Sequence, residues 1–227
     1  MLLLALALAP AFAIMIYIYI KDKYEREPVL LLLKNFGLGA TASIVITVIF
    51  GAIGKWFFPI TDPLSIVQQF VKAFVVVALV EEFSKYVIVR YYAQRNKEFD
   101  EPFDGIVYAV MVSMGFAALE NVMYVFQFGM TNGIVRAFTA VPAHATFGIL
   151  MGYFMGKAKF AKTKKDKIRL NLTGLIAAAL FHGAYDFFLF LNFIPGISIG
   201  AFVSLVIGLV LSRKAIQKHQ DISRFKH

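Results

Sequence analysis

The feature that most constrains this chain is a succession of apolar runs, each about as long as a bilayer is thick. A helix that crosses the hydrocarbon core needs roughly 20 mostly apolar residues. Seven stretches approach that length: Leu2 to Ile20, Phe36 to Gly54, Ile66 to Val89, Gly105 to Phe128, Ile134 to Gly156, Leu170 to Leu191 and Phe193 to Leu211. The boundary between the last two, around Asn192 and the Pro195-Gly196 pair, is soft. The third is the least apolar, because it carries Gln68, Gln69, Lys72, Glu81, Glu82 and Lys85. Hydrophobic residues make up 59% of the chain and charged ones 16%, against about 45–50% and about 25% in soluble domains. The expectation is an all-α, polytopic transmembrane helix bundle of about seven spans, forming one domain over residues 1–227. With no cysteine, disulfide and thiol chemistry are excluded.

The basic residues orient such a bundle. Of the 23 lysines and arginines, 19 fall in alternate connections. Four lie between the first and second spans, three follow the third, seven separate the fifth and sixth, and five follow the seventh. Cytoplasmic loops carry such an excess, so the amino terminus is expected outside and the carboxyl terminus in the cytoplasm. The setting is then a cell membrane crossed many times, as in a prokaryotic plasma membrane. The net charge of +9 reads as contact with anionic lipid headgroups, not with nucleic acid. Ala11-Phe12-Ala13 resembles a signal-peptide cleavage site, but a basic leader is missing and the apolar run continues, so a retained first span is expected. No connection exceeds about 15 residues, which leaves the function to be performed within the membrane.

Ionisable groups interrupt four consecutive spans. The third carries Glu81, Glu82 and Lys85; the fourth Glu120 and Asn121; the fifth His144; the sixth His182 and Asp186. A charge at mid-membrane costs about 2.5–3.5 kcal/mol on insertion scales. At 1.5 Å per residue from the cytoplasmic boundary, Glu81 lies roughly 14 Å deep and the other four acids and histidines roughly 20–25 Å. The polar core is therefore expected on spans three to six, about 66–191, in one middle-to-cytoplasmic layer. Small residues recur every fourth position beside it: Gly148, Gly152 and Gly156 after His144, Gly174 and Ala178 before His182, and Ala109, Ser113 and Ala117 before Asn121. Such ridges let helices approach closely. Glu81 and Lys85 stand four apart in the favourable order. Taken singly, each pair can be neutralising glue between helices, and Pro142 can be a simple kink. Six such groups at similar depth exceed what glue requires.

Motifs of soluble hydrolases are absent: there is no HExxH, no GxSxG and no P-loop. What remains is acid–base chemistry on water. A carboxylate desolvated beside another resists ionisation and can take a proton from water near neutral pH. A histidine held by a carboxylate can donate to a developing oxyanion. Hydrolysis of a peptide bond by glutamate-activated water is one reaction that fits. A proton-coupled transporter or channel is another use of such groups, and a non-catalytic membrane scaffold a third. Two histidines with carboxylates can also bind zinc, but no ligand spacing here is characteristic; the expectation is no metal and no cofactor.

EEFSK (Glu81, Glu82, Lys85), FAALEN (Glu120, Asn121), the His144 segment and HGAYD (His182, Asp186) together resemble the PrsW family of intramembrane proteases, relatives of the CAAX-prenyl endopeptidases, the bacteriocin-processing proteins and the Aph subunit of gamma-secretase. The resemblance covers roughly residues 79–187. It implies a glutamic-type intramembrane protease acting on a single-pass, anti-sigma-factor-like membrane protein already trimmed outside. By analogy with the CAAX enzymes, Glu81 is the general base, Glu82 orients within the site, and His182 with Asp186 stabilises the oxyanion. Where those enzymes have arginine, histidine and asparagine, this chain has Lys85, Glu120 and Asp186. The second histidine is then His144, supplied by a different helix, with Lys85 and Asn121 in support.

Overall fold

The computed structural model describes residues 2–226 and is all-helical, with no strand among the described residues. Seven helices follow the chain: α1 (Leu2–Lys21), α2 (Val29–Phe57), α3 (residues 66–91), α4 (Asp104–Phe138), α5 (Ala140–Lys159), α6 (Lys164–Phe190) and α7 (Ile199–Asp221). Five stretches are long and apolar enough to cross a membrane: α1, α2, the joined stretch Asp104–Lys159, α6 and α7. The joined stretch is two helices folded back on each other, since Gly105 faces Gly152 and Gly156 while Ser113 faces Gly148. α3 fails the test of apolarity because it holds the glutamates and lysine that mark the third predicted span.

Burial is inverted relative to a soluble bundle. Leucine, valine, isoleucine and phenylalanine are exposed along α2 and α7, whereas Glu82, Lys85, Asn121 and Asp104 are fully buried. An apolar exterior over a polar interior is stable only in lipid, and the protein is a membrane protein. α4 lies at the centre, where every residue from Phe103 to Ala118 is buried. Its neighbours reach it through glycine. A Cβ on Gly115 would run into the Phe36 carbonyl of α2, and one on Gly39 into the Val112 carbonyl. The small-residue ridges expected on α4, α5 and α6 are packing seams too, with Gly148 against Ser113 and Gly174 against the Met151 carbonyl.

Two helices carry a π-helical stretch, Gly39–Ser43 in α2 and Lys72–Ala78 in α3. The second lies just before Glu81, against α6, where the Phe74 ring fills the space above Gly183. A π turn adds a residue per turn and so rotates everything after it about the helix axis. That rotation helps decide which face Glu81 presents, and the hydropathy pattern does not reveal it.

The four basic connections gather at one end of the bundle. Lys159 donates to the Gln94 and Asn96 carbonyls, Gln220 to the Lys21 carbonyl, and Arg224 pairs with Asp100 at 2.7 Å. Acids are buried at the same end. Desolvation pushes the Asp22 carboxyl up to about 7 and that of Glu27 up to about 10. Loops 58–65 and 191–198 and the turn at Gly129 lie at the other end.

The predicted fifth span, Ile134 to Gly156, requires correction. α4 breaks at Gly129 (φ 81°, ψ −172°) and resumes as a stub that ends at Phe138, and α5 begins only at Ala140. The left-handed φ is one that glycine adopts readily. Pro142 therefore sits in the first turn of α5, where its missing N–H leaves no helical bond unmade, and no kink follows from it.

Candidate active site

The polar groups of α3 to α6 meet around one cavity of about 580 Å³. Glu81, Glu120, His144, His182 and Asp186 line it, together with Tyr124, Arg136, Phe147 and Tyr185. Its remaining lining includes Lys55, Asn132, Thr139 and Ser198, all at or near the connections opposite the basic end. The polar layer therefore extends from mid-bundle away from the basic loops, not towards them as the count from span boundaries suggested. The reason is the late start of α5, at Ala140, together with the closeness of His182 and Asp186 to the end of α6 at Phe190. Both place their polar residues within two or three turns of that end.

Adjacent glutamates on α3 divide between two environments. Glu81 faces the cavity, and its Oε2 has no hydrogen-bond partner among the described residues. Glu82 is fully buried behind it, and its Oε1 receives Lys85 Nζ at 2.7 Å and His182 Nδ1 at 2.9 Å. Lys85 stands 4.0 Å from Glu81, so its close partner is the glutamate three residues back and not the one four back. Its ammonium also lies over the Phe116 ring at 4.3 Å, a favourable place for a desolvated cation.

The imidazoles are held in defined states. The Lys85 ammonium, which can only donate, is 3.0 Å from His144 Nδ1, so that nitrogen accepts. The proton of a neutral His144 then sits on Nε2, which is 3.1 Å from Glu120 Oε2. His182 donates Nδ1–H to Glu82 and turns Nε2 towards Asp186 Oδ2 at 3.4 Å and Glu81 Oε2 at 3.9 Å. The Phe147 ring stacks on His182 with centroids 4.8 Å apart and fixes its plane.

Arg136 escaped the sequence reading. It lies on the stub after Gly129, and its Nη2 reaches Glu120 Oε2 at 2.6 Å while Nε donates to Asn121 Oδ1 at 2.9 Å. Sixteen residues of straight helix would separate Glu120 and Arg136 by about 24 Å; the break at Gly129 brings them together. The available signal was an arginine near the start of an apolar span, outside the basic loops. Asn121 is not at the cavity. It is fully buried and ties Arg136 to the Ala7 carbonyl of α1 at 2.9 Å.

The donor chemistry also suits a metal. One carboxylate oxygen of Glu81 and one ring nitrogen each of His144 and His182 lie within 4.8 Å of one another. Two histidines and a glutamate form a familiar zinc set, Glu81 Oε2 is unpartnered, and His182 is oriented through its other nitrogen by a carboxylate, as metal-binding histidines commonly are. His144 would have to release Glu120 to offer Nε2. The residues fit such an ion, and the sequence-level expectation of no metal is reopened on that ground.

Residues 27–212 match the model of a family described as PrsW family intramembrane metalloprotease. Several proteins named Protease PrsW are similar to this chain. That of Oceanobacillus iheyensis is 40% identical over 164 residues, covering 72% of each chain. That of Geobacillus kaustophilus is 38% identical over 168 residues, covering 74% of this chain and 71% of its own. The Bacillus subtilis protein is 35% identical over 168 residues, covering 74% and 73% respectively. No solved structure matches the chain.

Proposed function

Because this chain belongs to the PrsW family of intramembrane proteases, we propose that it hydrolyses a peptide bond of a membrane-anchored substrate at the cavity between α3 and α6, with Glu81 as the base that activates water. The observation that carries this reading is the division of labour between the two glutamates. Glu81 lines the cavity with an unpartnered oxygen, while Glu82 lies off it, fully buried, with Oε1 holding both Lys85 and His182 and only Oε2 unpartnered.

In this reading Glu81 accepts the proton of a water that attacks the scissile carbonyl, and returns it to the amine as the C–N bond breaks. His182, steadied by Glu82 through Nδ1–H and facing Asp186, supplies the donor for the developing oxyanion through Nε2–H of its doubly protonated ring. Glu120, paired with Arg136, holds His144 at the far wall. The chain would cross the membrane seven times with its basic end in the cytoplasm of a prokaryotic cell, resting on anionic headgroups. The cavity would then be reached from mid-membrane towards the outside. A single-pass protein already trimmed outside, of the anti-sigma-factor kind, is a substrate whose cut end could reach it.

A second reading keeps the site and changes the activator. If Glu81, His144 and His182 hold a divalent ion such as zinc, the ion supplies the polarisation that lowers the pKa of water. Glu82 and Lys85 would then orient its ligands.

The test is cleavage of a panel of single-pass substrates by protein reconstituted in liposomes, comparing wild type with Glu81→Gln and His182→Ala. The metal content of the purified protein is measured in parallel. Cleavage lost in both variants, with no stoichiometric metal and no effect of chelator, supports the glutamate mechanism. Stoichiometric metal that disappears in His182→Ala moves the chemistry to the second reading. Cleavage that survives both substitutions overturns the assignment of this cavity.

A further inference from the structure

A second constellation of acids lies far from the cavity, at the basic end of the bundle. Glu25 and Glu27 come from the α1–α2 connection, and Asp104 opens α4. One carboxylate oxygen of each lies within 4.8 Å of the others. Oxygens around a cation held at 2.3–2.6 Å lie no more than about 5.2 Å apart, so the three are spaced as ligands are.

The arrangement leaves particular atoms free. Asp104 Oδ2 accepts the backbone N–H groups of Asp100 and Glu101, each at 2.7 Å, which leaves Oδ1 buried without a partner. Glu27 Oε2 accepts from the Tyr108 hydroxyl, and Oε1 is likewise buried and unpartnered. Glu25 Oε2 is unpartnered as well. Both Glu27 and Asp104 are essentially inaccessible, at 1% and 0% exposure. Among the described residues, no lysine or arginine forms an ion pair with any of the three; the nearby Arg224 is spent on Asp100 and Lys159 on backbone carbonyls. Buried carboxylates are costly to ionise without a cation, as the upward push on Glu27 reflects, and among the described residues no side-chain cation offsets the three.

We propose that Glu25, Glu27 and Asp104 form a binding site for a hard divalent cation, of the calcium, magnesium or manganese class. The donors are all carboxylate oxygens, which select hard ions over zinc or copper. Waters complete the shell on the side of Glu25, the most exposed of the three. The cation joins the α1–α2 connection to the start of the central helix. The carboxyl-terminal tail is fastened next to this point, through Ser223 on Glu101 and Arg224 on Asp100. The site thus acts as a clasp at the basic end, and it stands whether or not the cavity hydrolyses peptides.

The experiment uses the purified protein in detergent and terbium as a luminescent calcium analogue. Tyr108 touches Glu27 and serves as the energy donor on tyrosine excitation. The expected result is saturable terbium emission that calcium, magnesium or manganese displaces. Apparent affinity falls at least tenfold in Glu27→Gln and in Asp104→Asn and is unchanged in Glu81→Gln, whose carboxylate belongs to the other cavity. The displacing cation raises the melting temperature of wild type and not of Glu27→Gln. If the buried variants fail to fold, Glu25→Gln, with its partly exposed side chain, provides the same comparison. Emission that does not saturate, or that is equal in wild type and in every folded variant of the three carboxylates, overturns the proposal.

Discussion

Lys85 Nζ lies 2.7 Å from Glu82 Oε1, one turn back on the same helix and entirely out of contact with solvent. The pair neutralises the glutamate that does not line the cavity and leaves Glu81 as the one of the two that does.

Glu81→Gln is expected to lower the cleavage rate by two to four orders of magnitude, the range that a general base contributes. Folding is expected to hold, because Glu81 Oε2 has no hydrogen-bond partner to lose. Initial rates on a membrane substrate, set beside thermal melting of the same preparation, check both halves. A variant that melts far below wild type would show that Glu81 is structural.

Glu82→Gln and Lys85→Met are expected to destabilise the protein by about 3–5 kcal/mol each, since each strands a buried charge. The double variant should recover a large part of that loss, since the glutamine amide oxygen can still accept from His182 Nδ1. Denaturation of the four proteins as a double-mutant cycle measures the coupling. Additive effects would mean that the pair is not the unit described here.

Arg136→Gln should reduce activity about tenfold and blunt the effect of Glu120→Gln in its background, because the two side chains share a contact of 2.6 Å while Glu120 keeps its own bond to His144. Steady-state rates for the single and double variants decide this. Independent effects would argue that Arg136 only anchors the α4 stub to Asn121.

Gly152→Ala should destabilise by about 1–3 kcal/mol, as overpacking of a close contact does, because its Cβ would meet the Gly105 carbonyl oxygen. Gly37→Ala is the control. Nothing lies within 4 Å of a Cβ there, and alanine in a helix should stabilise by roughly 0.5–1 kcal/mol. Melting temperatures moving in opposite directions would confirm that α4 and α5 meet through glycine.

The resemblance in EEFSK, FAALEN and HGAYD led to the right family, because those motifs are short strings at helical spacing, on α3, α4 and α6. The break at Gly129 was visible only as the end of an apolar run. Its consequence was invisible: Arg136 reaches Glu120 only because the chain turns back in space.

Much of this protein followed from the sequence alone. Apolar runs of bilayer length required helices, since in lipid every backbone N–H and C=O must bond within its own segment. Ionisable residues in four of those runs marked where the interior is polar, since lipid would not accept them. Tertiary structure decided the rest. Which glutamate faces the cavity, which one Lys85 holds and which end of the bundle the cavity faces depend on the π stretch before Glu81, the turn at Gly129 and the late start of α5. Hydropathy reports how much a segment gains from leaving water and says nothing about rotation around a helix axis. Shifts of a few ångströms in packing set these contacts, and no single segment encodes them.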